Sequence, residues 1–186
     1  TPRATLRAKP KFNKISDVRG LTLSSFGDVR YLTLFHRQDD RRMDLSYLEE
    51  MDRDELLHEI GRLILEDKAY KHGGWRAISV IMTEQPGVGT IDGFFYPEDG
   101  RRPKSSVPGQ FAWEIGRAAR QLRKLMQEET GSAWVQMLYQ IWLPGPAFSA
   151  TFENEDPARW SLASKDFQSI RDFADMVDPA KTRRKD

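Results

Sequence analysis

Two pairs of strand-like runs, each preceded by a helix-like segment, constrain the fold of this chain more than any other feature. The four runs are residues 75–83, 90–96, 134–143 and 147–153. Turns rich in Gly and Pro join the two runs of each pair. Because a short turn reverses the chain, each pair is predicted to be antiparallel.

Helical periodicity occupies segments before, between and after these runs. Apolar residues recur at three- to five-residue steps from Leu45, and Asp52 followed by Glu55 resembles a capping box. A first helix is therefore predicted to begin near Arg53 and to end by Lys71.

A second helix is predicted at residues 110–130 and a third at 166–177. One side of the second helix carries four cations: Arg117, Arg120, Arg123 and Lys124. The resulting order, α-β-β-α-β-β-α, predicts an α+β domain. In it, helices cover one side of an antiparallel sheet of about four strands, which an N-terminal hairpin can extend.

Charge is segregated along the chain. Residues 1–43 carry ten Lys/Arg and four Asp/Glu, a net charge of +6, whereas residues 44–180 carry 15 and 23, a net charge of −8. Residues 181–186 add +3. An acidic body of this kind attracts basic partners over a distance.

Three parts of the chain follow from these patterns. We predict a basic arm at residues 1–44, the α+β domain at 45–178 and a charged tail at 179–186. Within the arm, two β-rich runs at 21–24 and 29–35 flank a Phe-Gly-Asp turn, which favours a β-hairpin.

Few residues of this chain suit catalysis. Cysteine is absent, which excludes disulfides, thiol catalysis and zinc–thiolate sites. None of the three histidines, His36, His58 and His72, lies beside a serine in a G-x-S-x-G elbow, and the glycine turns lack the phosphate-loop pattern. We therefore expect a protein that is not an enzyme, with no catalytic residues and no cofactor.

An acidic corner follows the last strand-like run, in the sequence FENEDPARW at residues 152–160. A second acidic turn lies at Glu98 and Asp99. Such carboxylates bind basic partners, bind a metal or bind nothing, but the D-x-D-x-D-G order of a calcium loop is absent and we expect no metal. The residues predicted to contact a partner are Glu98, Asp99, Glu153, Glu155, Asp156 and Trp160.

The five tryptophans are predicted to lie in different environments. Trp75, Trp113, Trp134 and Trp142 are expected in the core. Trp160 follows the acidic corner, where it either caps the core or anchors an interface.

The order of these features resembles the YezG-like (EsaG-type) immunity proteins, which are antitoxins of bacterial polymorphic toxin systems. The resemblance runs from about Glu55 to Trp160: a helix, Gly74-Trp75 opening a strand, FFY at residues 94–96 before an acidic Gly turn, a long helix, Trp134, and the closing Asp-Pro-x-x-Trp segment. The first 44 residues have no counterpart in the pattern.

This resemblance implies a cytoplasmic protein that binds and neutralises a cognate secreted toxin domain, commonly a nuclease. The residues alone are compatible with it, because an acidic body suits the basic active site of a nuclease. We also expect no membrane span, since no run of about 18 apolar residues occurs.

Two other functions stay open at the level of sequence. The chain is a nucleic-acid-binding regulator if its basic arm and the Arg face of the second helix bind phosphates, although the −8 body repels them. It is a divalent-metal hydrolase if the acidic residues hold a metal.

Overall fold

Seven strands and four helices make up the described part of the chain, which in this computed structural model is residues 25–26, 29–31, 46–85, 88–161 and 167–182. The strands are β1 (Ser25–Phe26), β2 (Val29–Tyr31), β3 (Trp75–Gln85), β4 (Val88–Pro97), β5 (Lys104–Ser105), β6 (Gln136–Trp142) and β7 (Ala147–Glu153). The helices are α1 (Arg53–Glu66), α2 (Ala112–Thr130), α3 (Phe167–Met176) and α4 (Pro179–Thr182), and a 3₁₀ turn covers Ser46–Glu49.

All seven strands belong to one antiparallel sheet, in the order β1-β2-β7-β6-β3-β4-β5. The predicted α+β class and the predicted order of the main elements are confirmed. A hairpin is present as β1 and β2, but β1 covers Ser25–Phe26, which the prediction placed at or before the turn, and the predicted run 21–24 lies outside the described residues. Strand β2 pairs with β7, so β1 forms one edge of the sheet. The remainder of residues 1–45 and residues 183–186 lie outside the described residues.

Helices cover both faces of the sheet, so the prediction of helices on one side is wrong. The first core lies between the sheet and helices α1 and α2, where Ile78, Val80 and Met82 of β3 are buried. The second core lies on the opposite face, where Ala77 and Ile81 of the same strand pack with α3. Successive side chains of a strand point to opposite faces, and both sets are apolar here, so both faces require a covering layer.

Polar side chains of the sheet hold the C-terminal end of α3. The hydroxyl of Ser79 and the amide of Gln140 each donate to the carbonyl of Val177, both at 2.7 Å. The Tyr96 hydroxyl donates to the carbonyl of Ala174 at 2.6 Å, and burial raises the pKa of this phenol. The last carbonyls of a helix have no partner within it, so these bonds explain the polar residues on an otherwise apolar face.

The capping box predicted at the first helix is confirmed. The Asp52 side chain accepts the backbone N–H of Glu55 at 2.9 Å, and the Glu55 side chain accepts that of Asp52 at 2.8 Å. The helix α1 ends at Glu66, before the predicted limit. There the buried carboxylate of Asp67 accepts the N–H groups of Ala69 and Phe111, which joins the end of α1 to the start of α2.

Strand β3 carries an irregularity between Trp75 and Ala77. Regular alternation would place the two side chains on one face, but Trp75 packs in the core under α1 and α2 and Ala77 in the core under α3. The indole N–H of Trp75 donates to the carbonyl of Tyr70 at 2.9 Å, which connects the strand to the turns after α1.

No helix in the described part of the chain is long and apolar enough to cross a membrane.

Candidate functional site

The two acidic groups predicted to form one surface lie at opposite ends of the sheet. Trp75 pairs with Pro97, which places Glu98 and Asp99 beyond one end. Residue Glu153 pairs with Gln136 and thereby lies at the other end of the sheet. Eight residues of β3 separate these ends, which corresponds to about 26 Å.

The distance between the two acidic groups decides whether they can bind one metal ion together. Carboxylates about 26 Å apart cannot share one ion, whose oxygen ligands lie within about 2.6 Å of it. Among the described residues there is also no cluster of three or more His, Cys, Asp or Glu arranged to hold a metal. The acidic corner and the Glu98–Asp99 turn are therefore two separate surfaces.

The Glu153 carboxylate accepts hydrogen bonds from three other residues of the acidic corner. One carboxylate oxygen accepts the backbone N–H groups of Glu155 at 2.9 Å and Asp156 at 3.1 Å. The other accepts a guanidinium N–H of Arg159 at 2.6 Å. These hydrogen bonds lower the pKa of Glu153 to about 2. The bond from the Glu155 N–H has the largest effect, followed by those from Arg159 and the Asp156 N–H. The carboxylate is therefore ionised throughout the physiological range.

Asp156 and Glu155 present the outer side of this corner, and both are exposed. One oxygen of Asp156 accepts the N–H of Ala158 at 2.8 Å, which closes the turn that begins at Pro157. The corner is thus a fixed loop with two exposed carboxylates beside the ionised Glu153.

Trp160 is a core residue, which corrects its placement among the partner-contacting residues. Only 5% of its surface is exposed, and it packs in the core that lies between the sheet and α3. Its backbone N–H donates to the buried side chain of Gln136 at 2.8 Å, and the Arg159 guanidinium lies over its ring. A buried indole cannot contact a partner, and it anchors the acidic corner to the sheet instead.

The Glu98–Asp99 turn differs from the acidic corner in its charge. Both carboxylates are exposed, but Asp99 forms an ion pair with Arg101 at 2.9 Å and also accepts the backbone N–H of that residue. Part of its negative charge is therefore neutralised within the turn.

We expect the stability difference between wild type and Glu153→Gln to depend on pH. The pKa of Glu153 lies near its ordinary value of 4.5 in the unfolded chain and near 2 in the folded protein. Between these values the unfolded chain binds more protons, so the stabilisation by Glu153 is complete above about pH 5 and is lost as the pH falls toward about 2. Urea unfolding of both proteins at pH 6, 4 and 3 measures this; a difference that stays constant would contradict the account.

Two predictions about α2 are wrong. Trp113 was expected in the core, but 57% of its surface is exposed. Arg123 was placed on the basic face, but it is partly buried, and its Nε donates to the carbonyl of Trp134 at 2.7 Å. The sequence could have predicted the exposure of Trp113. At 100° per residue, Trp113 lies about 200° around the helix from Ile115 of the apolar stripe, on the opposite side.

One line along the outer side of α2 carries Trp113, Arg117, Arg120 and Lys124, of which Arg117 is half-buried and the other three are exposed. These residues follow at steps of four, three and four, so they form one line along the helix. The guanidinium of Arg117 lies over the Trp113 ring, 5.4 Å from its centroid. We call this line the α2 stripe.

Comparisons with known proteins leave the family open: no model of a protein family matches this chain, and a search of curated proteins finds no significant match. The resemblance to the YezG-like immunity proteins therefore stays a prediction.

Proposed function

We propose that this protein is an immunity protein (antitoxin) that binds a cognate toxin domain and neutralises it by stoichiometric protein–protein inhibition. The observation that carries the proposal is the acidic corner, in which Glu155 and Asp156 are exposed on a loop held by the ionised Glu153. The proposed partner is a basic domain, and its activity is that of a nuclease.

The geometry of the corner suits this role. Its backbone is fixed by hydrogen bonds and by the buried Trp160, so little conformational entropy is lost when a partner binds. Exposed carboxylates accept charge-assisted hydrogen bonds from Arg and Lys, which are the groups that a nuclease uses to bind phosphates. Occupation of those groups by the corner would exclude the nucleic acid.

Charge at the corner is expected to control the rate of association with the proposed toxin domain. The variant Glu155→Lys/Asp156→Asn reverses one charge and removes another, while the Asn side chain keeps an acceptor for the Ala158 N–H. We expect the association rate constant to fall about tenfold or more, and to depend less on salt. Surface plasmon resonance at 50 and 300 mM salt would measure both.

Glu98→Lys/Asp99→Asn is the matched control, because it makes the same changes at the opposite end of the sheet. We expect it to alter the rate constant less than threefold. If the control variant slowed association more than the corner variant, the Glu98–Asp99 turn would be the contact surface. If isothermal titration detected no binding of the wild type at micromolar concentration, immunity toward that toxin would be refuted.

A further inference from the structure

We propose that the α2 stripe and the apolar cavity beside it form a second docking surface, for an acidic protein segment that carries one large apolar side chain. This surface is distinct from the acidic corner, and its charge is opposite. It therefore fits a different partner, or a different part of a partner, from the basic domain proposed above.

Exposed apolar side chains form one end of the surface. Trp113 and Val107 are 57% and 45% exposed, and they border a cavity of about 330 Å³. Ile91, Pro108 and Ala112 contribute apolar walls to it. An exposed tryptophan beside an open apolar cavity is typical of the central contact of a protein interface.

The other end of the surface is cationic. Arg117, Arg120 and Lys124 line a second cavity of about 230 Å³ together with Gln121. At 1.5 Å per residue, Lys124 lies about 16 Å along the helix from Trp113. An apolar side chain bound at Trp113 would thus be followed, within about three turns of a helical segment, by carboxylates facing the three cations.

Two of the three cations, Arg117 and Arg120, have contacts within the protein before any partner binds. Arg120 forms an ion pair with Glu84 at 3.2 Å. The Glu84 carboxylate in turn lies against Gly89, where a Cβ atom would approach its oxygen to 3.0 Å. The guanidinium of Arg120 also lies over Gly116, and that of Arg117 over Trp113. Such preorganisation reduces the entropy lost on binding.

Charge complementarity selects an acidic protein over a nucleic acid. Two carboxylates, Glu49 and Glu84, line the same cavities as the three cations, so the surface is only weakly positive. A chain with a phosphate at every nucleotide would gain little attraction there, because some of its phosphates would lie beside these carboxylates. Arg117 also lies over the Trp113 ring, to which a base would have to stack. A protein segment can place its few carboxylates beside the cations and keep them away from Glu49 and Glu84.

Selection from a displayed library of random 16-residue peptides tests the proposal. The full chain is the target, and Trp113→Ala is used for counter-selection. Enriched peptides are expected to carry a large apolar residue and two or more Asp or Glu in the following three turns. Enrichment of peptides without acidic residues, or no enrichment at all, would overturn the proposal.

Affinities of the enriched peptides for single variants locate the surface. Trp113→Ala and Arg117→Glu should each weaken binding tenfold or more by fluorescence anisotropy. The controls are Met176→Ala, an exposed apolar residue of α3, and Lys71→Glu, an exposed cation after α1. Both should change affinity less than twofold, and losses as large as those of the stripe variants would refute the location.

Two further outcomes would also overturn the proposal. A labelled 12-nucleotide single-stranded RNA that bound more tightly than the peptides, with the same dependence on Trp113, would identify a nucleic-acid site. A dimer of the wild type that Trp113→Ala converts to a monomer would identify a second copy as the occupant. Toxin affinity, measured separately, should be unchanged by Trp113→Ala, so failure here leaves the acidic corner untouched.

Discussion

Replacement of Gly93 by Ala is expected to destabilise the protein by about 3 kcal/mol or more. A Cβ atom at this position would lie 2.2 Å from the carbonyl oxygen of Ser106 and 2.5 Å from the hydroxyl of Tyr70. Neither group can move freely, because the Tyr70 hydroxyl donates to that same carbonyl and the Ser106 N–H donates to the carbonyl of Gly93 at 2.9 Å.

The methyl group would therefore separate the segment at β5 from β4 and break the bond of a buried tyrosine. Overpacking and the loss of a buried hydrogen bond each cost about 1 to 3 kcal/mol. Urea unfolding followed by circular dichroism measures the change in the free energy of unfolding.

Gly109→Ala is the matched control for this prediction. A Cβ atom there has no neighbour within 4 Å, and Gly109 is not among the glycines with positive φ. Its free energy of unfolding should change by less than about 0.5 kcal/mol, or rise slightly, because Ala restricts the unfolded chain. Equal effects of the two substitutions would show that the contact around Gly93 is not what requires glycine.

Replacement of Arg76 by Ala is expected to cost about 3 kcal/mol. Its guanidinium forms two hydrogen bonds with the carboxylate of Asp178, at 2.6 and 3.0 Å, and only 5% of the Asp178 side chain is exposed. Removal of the guanidinium leaves a buried carboxylate without its cationic partner, which costs more than the ion pair contributes. The loss also loosens the segment from α3 to α4, because Asp178 accepts the N–H of Ala180.

Arg101→Ala provides the comparison for Arg76→Ala. This arginine also pairs with an aspartate, Asp99, but 77% of its side chain is exposed. The expected loss is less than about 1 kcal/mol, since exposed ion pairs contribute little. Chemical unfolding of both variants would test this, and similar losses would mean that burial does not determine the value of the Arg76–Asp178 pair.

Local features of the sequence predicted local structure well. The capping box of Asp52 and Glu55 requires only neighbouring backbone, and α1 begins where the pattern places it. Gly131 ends α2 with a φ of 75°, a conformation that glycine adopts without strain. These devices are settled by atoms within a few residues of one another.

The candidate site was predicted less well, because its geometry depends on contacts distant in sequence. The predicted surface joined Glu98 and Asp99 to the acidic corner, although the register of β3, β4, β6 and β7 places them at opposite ends of the sheet. Trp160 was grouped with the carboxylates that precede it, but its backbone N–H donates to the side chain of Gln136, which lies 24 residues earlier in the sequence. Neither relation can be predicted from residues that are close together in the sequence.

Sequence by itself determined the main helices and strands of this protein, their order and the acidic and basic segments, because periodicity, turn residues and charge act over short stretches of chain. It did not predict β5 or α4, and α4 lies within the predicted charged tail, where Pro179 is buried. Only the tertiary structure decided which side chains are exposed: it buried Trp160, left Trp113 in solvent, directed Glu153 inward and divided the carboxylates between two ends of the sheet. The physical reason is that burial depends on what packs across each face, and the two helical layers that cover this sheet come from separate segments, α1 and α2 on one side and α3 on the other.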